Sequence, residues 1–334
     1  MKRNKTFRPN KALEGLLEQL NSLLAPAEQE VFQRYAFPRF PVVFIVGCAR
    51  AGSTLMLQLC ARSRCFAYPS NFLSRFYGAP YIGALIQQML TCSDYRFRDE
   101  FADVSSSLDF ASNLGKTKGL LSPNEFWFFW RRFFPCDGFD YPDAPSLHSS
   151  AMQEFVSEIA AIESVFNKPL VLKAQIMNCH IPTLSHAFPH ALFIHCTREP
   201  LYTAQSLLEA RLSYYGTPNG WYSFKPPEYE RLKNVDPYRQ VAGQVYCTER
   251  TVRQGLAQLP EERRLEVGYE DFCRAPHKTF LAIKRKFARQ GCRVAWRYEG
   301  PETFENRNRR RLSAARFKAL QRACEQIQEG GLSL

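Results

Sequence analysis

The sequence predicts an α/β fold, a P-loop-containing doubly wound parallel sheet that is flanked by helices and carries a helical cap insertion. Three observations support this prediction. An apolar run at residues 42–46 leads through a tight glycine turn directly into a helical pattern. Three further short apolar runs, at 169–173, 191–197 and 264–269, alternate with helical patterns, as in a parallel sheet. The 334 residues, 45% of them hydrophobic, suffice for one large α/β domain or two modest ones.

The first apolar run is followed by a loop that nearly matches a nucleotide-binding signature. Gly47 and Gly52 have the spacing of the pattern G-x-x-x-x-G-K-[ST], and such a loop directs backbone N–H groups and a helix dipole at an anion. However, Ser53 occupies the position of the Lys, and Arg50 is the only cation of the loop. Because that Lys grips the β- and γ-phosphates, its absence favours a donor with two anionic groups and no metal. A chance glycine turn is the alternative.

Two helical additions surround the predicted sheet. Leucines at helical spacing predict an N-terminal helical extension over residues 1–40, which Pro26 breaks into two helices. This extension is a docked helix pair or an interaction arm. Residues 64–168 show few strand signals and include an aromatic block at 126–134, so we expect a mostly helical cap there. Residues 41–334 then form a single domain.

A second group of polar residues follows the run at 191–197. Arg198 comes directly after this strand, at the carboxyl end where open α/β sheets bind ligands. Ser206 lies about two turns into the helix that follows. A guanidinium and a hydroxyl so placed can clamp a second, separate phosphate. The alternative is a surface ion pair between Arg198 and Glu199.

The loop after the first strand, the second group of polar residues and two further segments form an ordered set of four motifs within residues 42–276. The loop reads Gly47-Cys48-Ala49-Arg50-Ala51-Gly52-Ser53-Thr54-Leu55, and the second group reads Arg198-Glu199-Pro200 with Ser206. A third motif, Tyr269-Glu270-Asp271-Phe272, ends the last predicted strand, and Lys173 ends the predicted strand that precedes the second motif.

This set resembles the motifs of the sulfotransferases that use 3′-phosphoadenosine 5′-phosphosulfate (PAPS). It is most similar to the bacterial and tyrosylprotein-type branch, whose loop has the form G-x-x-R-[SA]-G-[ST]-T-L. Ala51 stands where Ser is commoner in that branch, and Ser53 stands where Thr is commoner. The resemblance implies PAPS as the donor and no metal.

The resemblance also implies roles for the matched residues. Arg50 and the backbone N–H groups that follow it would hold the 5′-phosphosulfate and stabilise the charge that grows on the bridging oxygen. Lys173 would neutralise the sulfuryl oxygens during transfer. The donor-binding loop then comprises Arg50, Ala51, Gly52, Ser53, Thr54 and Leu55.

At the other end of the donor, Arg198 and Ser206 would bind the 3′-phosphate, and Tyr269 would line the adenine site. The alternative for Tyr269 is simple core packing at the end of a strand. A basic run near the C-terminus would close over the 3′-phosphate and adenine, with Arg309 or Arg310 as contacts. The alternative for that run is a solvated charged segment.

The acceptor needs a base, and the residues that follow the loop offer no carboxylate where the tyrosylprotein-type branch has a Glu. The best substitute is Glu125, which opens the aromatic block beside Phe126 and Trp127. Apolar neighbours would raise its pKa and suit it to proton abstraction. Alternatively, Glu125 only caps the first turn of its helix. His180 is a weaker candidate base.

Composition limits the remaining possibilities. The net charge of +12 and a pI near 9.2 favour an anionic partner, although a basic surface without function would look the same. Eleven scattered Cys without zinc spacing, no signal peptide and no run long enough to span a bilayer indicate a soluble cytoplasmic protein. Most aromatic residues lie in apolar contexts, which disfavours a nucleic-acid-binding protein.

Taken together, the sequence predicts a PAPS-dependent sulfotransferase that acts on a hydroxyl or amine of a small-molecule, carbohydrate or lipid-linked acceptor. The aromatic block favours an acceptor with an apolar or aromatic face. The alternative enzyme is a P-loop small-molecule kinase that uses ATP.

Overall fold

A computed structural model describes residues 3–95 and 108–331 of the chain. At its centre lies one parallel sheet in the spatial order β2-β1-β3-β4, with Phe44 of β1 paired to Leu172 on one side and to Phe193 on the other. The strands lie where the apolar runs predict them, which confirms the parallel α/β sheet. They are β1 (Val43–Val46), β2 (Val171–Lys173), β3 (Leu192–Thr197) and β4 (Arg264–Gly268).

Helices cover both faces of the sheet. The helices of the described residues are α1 (Lys11–Phe32), α2 (Ser53–Arg62), α3 (Pro80–Thr91), α4 (Trp127–Phe133), α5 (Ser150–Phe166), α6 (Ile181–Ala187), α7 (Pro200–Tyr215), α8 (Tyr229–Leu232), α9 (Pro237–Ala257), α10 (Tyr269–Arg274), α11 (Pro276–Arg289) and α12 (Ala314–Gly330). Phe44 and Val46 pack into one core with side chains of α4, α5 and α9, while Val43 and Ile45 pack into a second core with α2 and α11. In residues 3–95 and 108–331, no helix combines the length and apolarity needed to cross a bilayer.

The predicted break at Pro26 is wrong, because α1 continues through it as one helix. Tertiary contacts on both sides of the proline hold α1 in place. Asn21 donates to the carbonyls of Leu17 and Arg75, each at 2.8 Å, and accepts the N–H of Gly78 at 2.6 Å. Glu28 accepts two backbone N–H groups in the first turn of α3, at 2.6 and 3.0 Å. These bonds offset the one that proline cannot make.

In the region after α2, the helices α3, α4 and α5 are separated by long irregular segments. Of the predicted cap at 64–168, residues 96–107 lie outside the described part of the chain. The aromatic block forms α4 and its flanks, where Phe126 and Phe129 stack with ring centroids 4.4 Å apart. Trp130 and Phe133 pack against Phe155 of α5, so most of this block is core.

The end of the last strand differs from the prediction. The sequence predicts that Tyr269 ends β4, but β4 ends at Gly268 and Tyr269 is the first residue of α10. The helix begins there because Glu270 and Asp271 favour the first turn of a helix. The side chain of Tyr269 still lies at the carboxyl edge of the sheet, where it lines a cavity.

Candidate active site

One cavity of about 680 Å³ opens at the carboxyl edge of the sheet. Because the four strands are parallel, the segments that follow them meet at this edge. The cavity brings together ten of the residues that the sequence predicts for the site: Arg50, Gly52, Ser53, Thr54, Leu55, Glu125, Lys173, Arg198, Ser206 and Tyr269. Ala51 is buried beneath the loop and does not line the cavity.

The loop between β1 and α2 is shaped by two glycines and one arginine. Gly47 has φ near +124°, and a Cβ there would lie 2.5 Å from the carbonyl oxygen of Cys196. Gly52 has φ near +98°, and a Cβ there would lie 2.9 Å from the ring of Tyr269. Arg50 adopts φ of 73°, a left-handed conformation that few residues other than glycine take. The loop therefore requires both glycines and holds Arg50 in an unusual backbone conformation.

Helix α2 begins directly after this loop. Its N-cap is Gly52, which has no side chain to accept a hydrogen bond, so the first backbone N–H groups of α2 remain uncapped. Ser53, Thr54 and Leu55 of that first turn line the cavity. The positive end of the helix dipole and these N–H groups are thus placed where they can bind an anion.

Polar side chains behind the loop fix its position, and sequence reasoning missed them. Asn178 accepts the N–H of Gly47 at 3.2 Å and donates to its carbonyl at 3.1 Å. Gln175 donates to the same carbonyl at 3.0 Å. Both follow β2 in a short 3-10 helix. No local motif marks them, since they act on a loop more than a hundred residues away in the chain.

A buried charged network also supports the loop. Glu249 of α9 accepts the N–H of Cys48 at 3.2 Å and lies 2.8 Å from Nε2 of His195. Glu266 lies 3.7 Å from Nδ1 of the same imidazole and 2.7 Å from Arg253. Burial lowers the pKa of His195, but the two carboxylates outweigh it and raise that pKa above 6.5. The nearby imidazole of His195, together with Arg253 and against the effect of burial, lowers the pKa of Glu266 to about 2.

Lys173 and Glu125 form an ion pair at the middle of the cavity. Lys173 Nζ bonds to Glu125 Oε1 and lies 3.3 Å from the hydroxyl of Thr54. Trp127 Nε1 donates to the other carboxylate oxygen, and Lys116 lies 3.6 Å from it. The side chain of Lys173 is only 7% exposed and that of Glu125 15%.

The raised pKa expected for Glu125 is wrong. Burial does raise the pKa, but Lys173 and Lys116, together with the hydrogen bonds from Lys173 and Trp127, outweigh it and lower the pKa to about 2. The sequence shows the apolar neighbours of Glu125 and gives no sign of the lysine from β2.

The second predicted phosphate clamp lies beside the first. Arg50 Nε donates to the hydroxyl of Ser206 at 3.1 Å, and Arg198 Nη1 donates to the carbonyl of Arg50 at 3.1 Å. The Arg198 guanidinium also lies 4.6 Å from the centroid of the Tyr269 ring. Arg198 donates to Asn308 Oδ1 at 2.8 Å, so it faces the clamp rather than forming a surface pair with Glu199.

The C-terminal basic segment does lie against this clamp, through residues other than those predicted. Arg307 and Arg311 line the cavity, whereas Arg309 and Arg310 do not. Gln205 fixes the segment by donating to the carbonyl of Arg309 at 3.0 Å and accepting the N–H of Arg311 at 3.0 Å. Asn308 bridges Arg198 and Glu270. A run of arginines in the sequence does not show which side chains face inward.

The opposite half of the cavity has aromatic walls. Trp127 packs against Phe224 with ring centroids 5.3 Å apart, and Phe224 stacks on Tyr141 at 4.9 Å. The Tyr222 hydroxyl donates to the carbonyl of Leu114 at 3.3 Å. The candidate base His180 does not line this cavity, and its Nε2 lies 2.8 Å from the carbonyl oxygen of Pro142.

Comparison with known proteins identifies the family of this fold and cavity. The model of the sulfotransferase family matches residues 41–288, which is most of the chain. The chain belongs to the sulfotransferase family. This assignment supports sulfuryl transfer as the general reaction. None of the curated proteins matches the chain.

The solved structures to which this chain is similar include three bacterial sulfotransferases or sulfotransferase domains. The sulfotransferase STF9 from Mycobacterium avium has 14% identity and a TM-score of 0.49, with 96% of this chain and 82% of that chain covered. STF1 from Mycobacterium tuberculosis H37Rv has 16% identity and a TM-score of 0.48, with 82% and 72% covered. The sulfotransferase domain of the Synechococcus PCC 7002 olefin synthase has 15% identity and a TM-score of 0.41, with 76% and 74% covered.

Proposed function

We propose that this sulfotransferase transfers a sulfuryl group from PAPS to a hydroxyl or amine of a small-molecule, carbohydrate or lipid-linked acceptor. The observation that carries the proposal is the presence of two adjoining anion clamps in one cavity. Arg50 and the start of α2 form the first clamp, Arg198 and Ser206 form the second, and the 3.1 Å bond from Arg50 to Ser206 joins them. PAPS carries a phosphosulfate and a separate 3′-phosphate, so it matches both.

The donor residues take roles that follow their positions. Arg50 and the N–H groups of Gly52, Ser53 and Thr54 would bind the 5′-phosphosulfate. Arg198 and Ser206 would bind the 3′-phosphate, and the inward-facing Arg307 and Arg311 would replace Arg309 and Arg310 as its C-terminal contacts. Tyr269 and Phe304 would line the adenine site, since both line the cavity and the Tyr269 hydroxyl donates to the carbonyl of Glu305, the neighbour of Phe304.

The transfer step requires few groups. The acceptor oxygen would form a bond to sulfur while the bond from sulfur to the bridging phosphate oxygen breaks. Its proton would pass to Glu125, and 3′,5′-ADP would leave with the bonding electron pair. Lys173 lies between Glu125 and Thr54, so it can bind the sulfuryl oxygens as they move. Arg50 and the start of α2 would stabilise the charge on the leaving phosphate.

A thermal-shift comparison tests this proposal. We expect 3′,5′-ADP without magnesium to raise the melting temperature, and 5′-AMP, which lacks the 3′-phosphate, to raise it less. An Arg198→Lys variant should reduce this difference, because an ammonium lacks the two-pronged geometry of the guanidinium. Stabilisation by magnesium-ATP alone would support the kinase alternative, and stabilisation by oligonucleotides alone would support a nucleic-acid-binding protein. Either result would overturn the proposal.

A further inference from the structure

We infer that the acceptor of this sulfotransferase carries an anionic group, a carboxylate or a phosphate or sulfate ester, on an aromatic or flat apolar body. The inference rests on the proposed function, because it identifies the occupant of the aromatic half of the same cavity.

The charge of the cavity exceeds what the donor can neutralise. Its anionic lining side chains are Glu125 and Glu305. Its cationic ones are Arg3, Arg50, Lys116, Lys173, Arg131, Arg198, Arg307 and Arg311. A 3′-phosphate and a phosphosulfate together carry about four negative charges at neutral pH. Glu209, outside the lining, neutralises Arg311 at 2.8 Å. Once the donor and the three glutamates are counted, about one positive charge remains.

Two cationic side chains that line the cavity beside aromatic rings are not members of the donor clamps. Arg131 of α4 lies with its guanidinium 5.8 Å from the ring centroid of Trp127. Arg3 lies 5.3 Å from the ring centroid of Tyr214, which is 5.5 Å from that of Tyr222. Within the described residues, neither arginine has a carboxylate within ion-pair distance. Arg131 donates to the carbonyl of Gly138 at 2.6 Å, which leaves further N–H groups for a ligand.

Trp127 sets the distance between the reacting group and the anion. Its indole nitrogen donates to Glu125, the proposed base, and its ring faces Arg131. An acceptor whose hydroxyl reaches Glu125 and whose anion reaches Arg131 must therefore extend along about one indole ring. A phenyl ring with a short side arm has this length and can pack against Trp127 and Phe224. A neutral acceptor would leave the charges of the exposed Arg131 and the half-buried Arg3 to solvent, whereas an anionic acceptor would pair with them.

The test uses three matched probes: 3-(4-hydroxyphenyl)propanoate, its primary amide, and 2-(4-hydroxyphenyl)ethyl phosphate. Sulfation is measured with labelled PAPS as kcat/KM. Binding of each probe to the complex with 3′,5′-ADP is measured by calorimetry, so a probe that is bound but not sulfated is still informative. We expect each anionic probe to exceed the amide about tenfold, as for a charged hydrogen bond in a half-open site. The ratio of the two anions shows whether a carboxylate or a phosphate fits better.

Variants then locate the anion. The Arg131→Gln variant should bring the ratio of kcat/KM for the acid to kcat/KM for the amide towards one. The Arg131→Lys variant should keep part of the preference for the acid, and the Arg3→Gln variant should reduce this preference. Arg322→Gln, on an exposed part of α12, should keep the full ratio. Because the readout is a ratio within one protein, a general loss of folding or of donor binding cancels.

The outcomes separate this inference from the proposed function. If the chain binds 3′,5′-ADP but binds and sulfates the amide as well as the acid and the phosphate, the inference is wrong and the proposed function stands. The inference is also wrong if the preference exists but survives in the Arg131→Gln and Arg3→Gln variants. If 3′,5′-ADP does not bind, the proposed function fails first.

Discussion

At the scale of single residues, the proposed chemistry depends on the ion pair between Lys173 and Glu125. Their ion pair lowers the pKa of Glu125 to about 2, so this carboxylate is ionised, as a base must be. A carboxylate with so low a pKa is a weak base while Lys173 remains its partner. When sulfuryl oxygens bind Lys173, Glu125 loses part of this stabilisation while it stays buried, and its affinity for a proton rises. Donor binding would thus activate the base.

Replacement of Glu125, the proposed base, is the first prediction. Glu125→Gln should keep the affinity for 3′,5′-ADP and reduce kcat by a factor of about 10²–10⁴, as expected for the loss of a general base. Because the pKa of Glu125 is about 2 in the protein without donor, kcat/KM for PAPS, which reports that form, should show no acid limb above pH 4.5 from this residue in the wild type. Steady-state kinetics over pH 4.5–9 and calorimetry with 3′,5′-ADP would measure both.

Glu302→Gln, at an exposed position, is the matched control and should behave as the wild type. Full activity of Glu125→Gln would remove the proposed base. An acid limb near pH 6 that disappears in Glu125→Gln would instead mean that the pKa is raised, as the sequence alone predicts.

The site shows what sequence motifs can and cannot predict about residues. Arg50, Lys173 and Arg198 end strands or lie in the loop between a strand and a helix, and the parallel sheet places all three at one edge. The pKa of Glu125 and the choice of Arg307 over Arg309 depend on side-chain partners from distant segments. Spacing along the chain contains no information about these partners.

At the scale of elements, the strands were predictable and two boundaries were not. The strands β1, β2 and β3 are short, buried, mostly apolar runs, so composition marks them, whereas in β4 apolar and charged residues alternate. Pro26 disfavours a helix locally, but Asn21 and Glu28 bind the chain around α3 on both sides of it. Tyr269 continues an apolar run, but the acidic residues after it favour a helix start. At Pro26 the tertiary contacts of α1 outweigh the low helix propensity of proline. At Tyr269 the acidic residues that follow outweigh the strand propensity of the tyrosine.

The docking of α1 gives the second prediction. Asn21→Ala would leave the N–H of Gly78 and the carbonyl of Arg75 without their partners in a buried site. We expect the free energy of unfolding to fall by about 2–3 kcal/mol, measured by urea denaturation. Gln19→Ala, on the exposed face of the same helix, should change it by less than about 0.5 kcal/mol. If Asn21→Ala changes the free energy of unfolding as little as Gln19→Ala does, α1 is a loosely attached arm.

The network behind the loop, which joins β3, β4 and α9, gives a prediction about pH. The pKa of His195 is raised above 6.5, so stabilisation by its ion pairs is fully present below pH 6.5 and is lost as the pH rises through the folded pKa. The pKa of Glu266 is lowered from 4.5 to about 2, so its contribution is present above pH 4.5 and is lost as the pH falls towards 2. Glu249 and Arg253 complete the charges around the imidazole. The network therefore stabilises the fold most between pH 4.5 and 6.5.

Urea denaturation at pH 6 and pH 9 would measure this effect. From pH 6 to pH 9, the free energy of unfolding should fall more in the wild type than in the His195→Gln variant. This comparison holds whatever the stability of the variant is at pH 6. His190→Gln replaces an exposed histidine and should retain the slope of the wild type. Parallel losses in the wild type and His195→Gln would show that His195 is neutral in the folded chain.

At the scale of the whole molecule, the positive charge has two components. The chain carries a net charge of +12, and part of it converges on the cavity, where eight cationic side chains meet two anionic ones. The overall charge acts over the surface and is screened by salt. The charges in the cavity act on a ligand at contact distance within low-dielectric walls, where screening is weaker.

The two components can be separated by variants of equal net charge. Arg307→Gln with Arg311→Gln removes two charges that line the cavity, and Arg316→Gln with Arg322→Gln removes two exposed ones from α12. In the wild type, the Kd for 3′,5′-ADP should rise severalfold between 0.1 and 1 M NaCl, as the screening length falls from about 10 to about 3 Å. The cavity pair should raise the Kd at least tenfold at 0.1 M and flatten its salt dependence, because two contacts to the 3′-phosphate are lost. The α12 pair should leave both nearly unchanged. If the two double variants behave alike, the net charge attracts the donor and the C-terminal arginines do not contact it.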